Sequence, residues 1–101
     1  MFSLIPLKAR AWLDLTERKA IDPQAVDGKQ VTKHRNDVLR LTQLLADDVR
    51  VNASASIATD IGRFTEAVGA EVTTALLRNL EIAELPERLL ARLRACYGVD
   101  A

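Results

Sequence analysis

The sequence predicts an all-α fold, a small bundle of four to five helices in one domain spanning residues 1–101. Three observations carry that expectation. Apolar residues recur at helical spacing in several segments. Helix boundary residues stand where those segments begin and end, with Pro6 and Pro86 at starts, Ser54 or Ser56 as a cap, and Gly69 and Gly98 at ends. No segment alternates β-branched with polar residues over strand length, Val49-Arg50-Val51 being the nearest approach.

Helix one is expected over residues 6–19, with Pro6 suited to the first helical position. Leu4, Leu7, Ala11 and Leu15 follow helical spacing, and Lys8 and Trp12 lie four apart on an adjoining strip. Asp14 and Arg18 stand i,i+4 in the favoured order. Residues 21–29 contain Asp-Pro and Asp-Gly, both turn dipeptides, and read as a loop with room for one helical turn after Pro23. Helix two is expected over residues 31–45. Val31, Val38, Leu41 and Leu45 make its stripe, and His34 fills the gap. Asp37, three positions after His34, falls beside that stripe.

Helix three has the clearest pattern, with Ile57, Ile61, Phe64 and Val68 on one face and a serine cap before them. Val72, Ala75, Leu76 and Leu80 predict helix four over residues 71–80. Helix five runs from Pro86 towards Gly98, with Leu89, Leu90, Leu93, Cys96 and Tyr97 inward and Arg88, Arg92 and Arg94 as a solvated face. The expected core comprises Trp12, Val38, Leu41, Ile57, Ile61, Phe64, Leu89 and Leu93.

Composition narrows function mostly by exclusion. Fourteen Lys and Arg balance fourteen Asp and Glu, so there is no global pull towards nucleic acid or anionic membrane, and duplex DNA is an unexpected partner. Only a local basic patch could supply such an interaction. One cysteine, Cys96, excludes an intrachain disulfide and a multi-cysteine metal site; it reads as a buried thiol. One histidine, His34, excludes a histidine-rich metal site, and a triad built on His34 and Asp37 lacks a nucleophile. Neither a metal nor a cofactor is expected. No apolar run approaches the roughly 20 residues of a membrane span. The first residues carry no basic, signal-like lead, which reads as a cytoplasmic chain.

Unusual chemistry gathers at Lys33-His34-Arg35-Asn36-Asp37, where polar residues precede Val38-Leu39-Arg40-Leu41. Together with Lys8 in IPLKARAWLDLTERK, the segment TKHRNDVLRLTQLL resembles the C-terminal helical part of nucleotidyltransferase-like proteins of the abortive-infection toxin type (AbiEii/AbiGii). The resemblance covers roughly residues 4 to 45. It implies that Lys8 contacts nucleotide phosphates and that Asp37 lies near the catalytic site, with Lys33 and Arg35 adding to a phosphate-binding surface. Here Asn36 separates Arg35 from Asp37, whereas in the family pattern the acid follows the arginine directly. The metal-binding carboxylates of that family, held at i,i+2 after a Gly-Ser loop, have no counterpart: no two acids stand at i,i+2 in this chain.

The resemblance therefore implies a non-catalytic helical half, binding nucleotide weakly or serving a separate catalytic chain, and transferring no nucleotide by itself. The alternative is a homodimeric helical module without a ligand, its apolar excess on helices three and five buried between copies. A DNA-binding helix-turn-helix unit is disfavoured by the charge balance. If helices one and two pack side by side, Lys8 and Asp37 fall on the same side of the domain, with His34 or Arg35 between or beside them.

Overall fold

The computed structural model describes residues 2–99. Five α-helices follow in order: α1 (Leu4–Ile21), α2 (Gly28–Gln43), α3 (Ala55–Val68), α4 (Thr74–Asn79) and α5 (Pro86–Cys96). A 3₁₀ turn, Pro23–Ala25, links α1 to α2, so the expected helical turn after Pro23 is present. The described residues contain no strand, and the all-α expectation holds.

Most helix starts are set by local side chains. Asp27 accepts from the backbone N–H of Lys29 at 2.9 Å and starts α2 three residues earlier than expected. Ser54 accepts from Ile57 N–H and starts α3, which ends against Gly69 as read from the sequence. Thr73 caps α4 through Leu76 N–H. Each such cap satisfies an amide that the helix itself leaves unpaired. Pro86 opens α5, and Gly98, with φ +73°, follows its end in the left-handed conformation that glycine adopts without penalty.

Helix α1 is the centre of the packing. It lies most extensively against α2 and then α3, while α5 closes on α3 and α2. The core joins Ile5, Ala9 and Trp12 of α1 to Val38 and Leu39 of α2, Ile61, Phe64 and Val68 of α3, and Leu89 and Leu93 of α5. Trp12 and Phe64 meet edge to face, with ring centroids 5.2 Å apart, an arrangement favoured by the ring quadrupoles. Six of the eight expected core residues are buried; Leu41 and Ile57 are half-buried at its margin.

Several expectations are corrected. The stripe on α1 is Ile5, Ala9, Trp12 and Leu13, not Leu4, Leu7, Ala11 and Leu15; Leu7 is 66% exposed. Asp14 pairs with Arg10, not with Arg18. Helix α4 is shorter than expected and ends at Asn79; Glu81 follows in a left-handed conformation, φ 61°. Arg92 does not join a solvated face: its side chain is 12% exposed and is held by Glu84 and Asp47. The apolar faces of α3 and α5 pack largely into the chain's own core, with Ile57 and Leu90 half-buried at its margin.

The last turn of α5 also anchors two other segments. Cys96 is buried, and its carbonyl accepts from Val51 N–H at 2.8 Å. Burial pushes the Cys96 thiol pKa up, partly opposed by Arg50. The buried Tyr97 hydroxyl donates to the Phe2 carbonyl at 2.7 Å, and burial, then the neighbouring Cys96, pushes its pKa above the usual tyrosine range.

Candidate functional site

The seam between α1 and α2 brings together Lys8 and Asp37, 29 residues apart in sequence. Lys8 Nζ donates to Asp37 Oδ2 at 2.9 Å, and the two side chains are 26% and 22% exposed. The expectation that they share one side of the domain is met. The physical reason is the one read from the sequence: Trp12 lies one turn beyond Lys8 and Val38 directly follows Asp37. Burial of both apolar residues in the common core carries the polar pair to its rim.

Arg35 is turned elsewhere. Its Nη1 donates to Glu71 Oε1 at 2.8 Å, and its Nε to Asn36 Oδ1 at 3.1 Å. The inserted Asn36 thus holds the guanidinium that points α2 towards the segment between α3 and α4. Asp37 takes Lys8 rather than Lys33 or Arg35 as its partner. His34 lies one turn before Asp37, but its Nδ1 is buried and makes no hydrogen bond; the indole Nε1 of Trp12 is in the same condition.

Lys33 is exposed and lines the outer side of α2. There, with Gly28, Lys29, Thr32, Asn36 and Arg40, it borders an open groove of about 460 Å³. Residues 29, 33, 36 and 40 stand at i, i+4, i+7 and i+11, one face of a helix. The sequence reading missed Lys29 and Arg40, although that spacing beside Lys33 was there to be read.

The four residues singled out from the sequence thus divide. Lys8 and Asp37 satisfy each other, Arg35 is satisfied by Glu71, and Lys33 stands in a separate basic row. A larger, more apolar groove of about 540 Å³ lies between α4 and the segment that leads into α5, but Arg78, Glu81 and Glu84 give it mixed charge. Among the described residues no three His, Cys, Asp or Glu side chains gather as metal ligands, and no helix is long and apolar enough to cross a membrane. No family model, curated protein or solved structure matches this chain.

The Lys8–Asp37 contact makes a quantitative prediction about the seam. Exposed ion pairs contribute about 0–1 kcal/mol, and partial desolvation raises the attraction between the charges while adding a cost of its own. A double-mutant cycle with Lys8→Met and Asp37→Asn is expected to give a coupling energy of about 1 kcal/mol in urea unfolding. Coupling indistinguishable from zero would mean that the pair is incidental to the packing of α1 on α2.

Proposed function

We propose that this chain is a non-catalytic helical binding domain, related to the helical half of nucleotidyltransferase-like proteins, that takes a phosphate-bearing ligand on the outer side of α2. One observation carries the reading. The groove along α2 is lined by Lys29, Lys33 and Arg40 with the amide of Asn36 and the hydroxyl of Thr32, and no carboxylate lines it. Lysine and arginine offer donors and no acceptor, so an anion meets complementary groups and little competition. The grooves beside α4 and α5 and the one between α1 and α3 each contain a glutamate.

On this reading Lys8, Arg35 and Asp37 act differently from Lys33. Lys8 and Arg35 are each held by a carboxylate, and phosphate would have to break those pairs to reach them. Their role is to fix α2, with Asp37 taking the Lys8 end, so that Lys33 is presented to solvent. The missing i,i+2 carboxylates support a domain without transfer chemistry of its own. A separate catalytic chain remains the natural supplier of such chemistry.

Pyrophosphate titration followed by amide NMR tests the proposal. Shifts are expected along α2 at millimolar ligand and low salt, and Lys33→Gln should weaken them about threefold or more. Shifts spread evenly over the surface, or absent from α2, would remove the proposed site.

The second reading, a homodimer, is favoured by a different feature. Phe2, Leu4 and Leu7 at the start of α1 are 43%, 43% and 66% exposed, so an apolar surface remains there after α3 and α5 have spent theirs in the core. Sedimentation equilibrium decides it: a monomer at tens of micromolar protein removes the dimer.

A further inference from the structure

Charge in this neutral chain is unevenly distributed. Residues 18–43 hold six of the fourteen Lys and Arg but three of the fourteen Asp and Glu. Those three acids are engaged. Asp22 caps the 3₁₀ turn, Asp27 caps α2, and Asp37 holds Lys8. Among the described residues, Lys19, Lys29, Lys33 and Arg40 make no ion pair and are all exposed. Elsewhere Arg10, Arg63 and Arg92 each meet a carboxylate, and the exposed Arg50, Arg78 and Arg88 do not line this groove.

Lys19, Lys29, Lys33 and Arg40 form one row. A Cβ added at Gly28 would lie 3.2 Å from Lys19 Nζ, so the Lys19 ammonium sits over the start of α2, next to Lys29. From Lys29 to Arg40 is eleven residues, about 16 Å of helix axis at 1.5 Å per residue. A mononucleotide cannot face all of these charges at once. No aromatic side chain lines the groove, so there is no platform on which an unpaired base could stack.

Resting on the phosphate-binding reading above, we infer that the ligand of this row is the phosphodiester backbone of duplex nucleic acid, held without regard to base sequence by Lys19, Lys29, Lys33 and Arg40. The overall charge balance that made duplex DNA an unexpected partner does not bear on this row, because counterion release depends on the cations placed against the phosphates. A duplex presents about one charge per 1.7 Å of its axis, denser than a single strand, which favours it over unpaired chains when contacts are to backbone alone.

Fluorescence anisotropy of a short labelled DNA duplex with the full chain tests this. Binding is expected at about 25 mM salt, with log affinity falling against log salt at a slope of about −2.7 to −3.6, as three or four contacts require. Lys33→Gln with Arg40→Gln should weaken binding about fivefold or more, while Arg78→Gln with Arg88→Gln, on exposed cations of α4 and α5, should leave it unchanged. Circular dichroism confirms that each variant is folded. Equal loss in both pairs, tighter binding of the single strand, or equal retention on phosphatidylglycerol vesicles at matched phosphate overturns the inference. If pyrophosphate shifts the α2 amides but the duplex binds no more tightly at matched phosphate, the duplex is wrong and the phosphate site stands. If neither binds, both fail.

Discussion

Replacing Phe64 by alanine is expected to cost about 3–5 kcal/mol of stability, the range for truncating a fully buried phenylalanine. Phe64 has no exposed surface, and its ring meets the edge or face of Trp12 at 5.2 Å. It lies on α3 opposite the point where α1 brings Trp12 to the core, so its loss removes apolar burial and an aromatic contact together. Small domains have total stabilities of about 5–15 kcal/mol, so a loss of this size consumes a large share of the total, and Phe64→Leu, expected to cost about 1–2 kcal/mol, keeps the prediction open to measurement. Urea unfolding followed by far-ultraviolet circular dichroism is the readout, because Trp12 fluorescence changes with its partner. A cost below about 1 kcal/mol for the alanine variant would mean that α3 does not supply the central core face.

The same residue shows what made part of the fold legible. On α3 the apolar positions Ile57, Ile61, Phe64 and Val68 fall on one face and the others are small or polar, so one orientation alone buries them; Ser54 and Gly69 then mark the ends by local chemistry. Helix α1 offers two apolar faces. Leu4, Leu7 and Leu15 compete with Ile5, Ala9, Trp12 and Leu13 at equally good spacing, and periodicity cannot rank them. Packing against both α2 and α3 selected the face bearing Trp12 and the small Ala9. On α2, Thr42 was hidden by its polar class: it is fully buried, with its hydroxyl donating to the Val38 carbonyl at 2.7 Å. The end of α4 left no glycine to read, since Glu81 takes the left-handed position itself at a cost of order 1 kcal/mol.

The candidate site divides along the same line. The meeting of Lys8 with Asp37 was legible because Lys8 stands one turn before Trp12 and Asp37 directly before Val38, two residues that the core demands. The partner of Arg35 was not, since Glu71 lies 36 residues away in a segment whose path depends on tertiary packing. Lys29 and Arg40 were legible in principle but belong to a face that balanced composition makes easy to dismiss. Net charge describes the whole chain; a ligand meets only the charges on one face.

Arg92 carries the second large expected effect. Its Nη1 and Nη2 donate to Glu84 Oε1 and Oε2 at 2.8 and 2.7 Å, a paired geometry suited to guanidinium and carboxylate, and its Nε donates to Asp47 Oδ1 at 2.9 Å. One side chain thereby ties α5 to the turn before it and to the segment after α2. The Arg92 pKa is raised first by the hydrogen bond to Glu84, with desolvation opposing and Asp47 adding, so the residue stays charged throughout the working range. Removing one partner of a buried pair costs about 3–5 kcal/mol because the other charge is stranded. Here Glu84 is 25% and Asp47 80% exposed, and water can recover part of that, so Arg92→Met is expected to destabilise by about 2–3 kcal/mol while keeping the apolar stem. The companion variant Glu84→Gln retains an acceptor for one of the two bonds and should cost less, about 1 kcal/mol. Urea midpoints at unchanged slope measure both. The order of the two costs is the sharp part of the test: a larger loss for Glu84→Gln than for Arg92→Met would show that the carboxylate stabilises this corner through something other than the arginine.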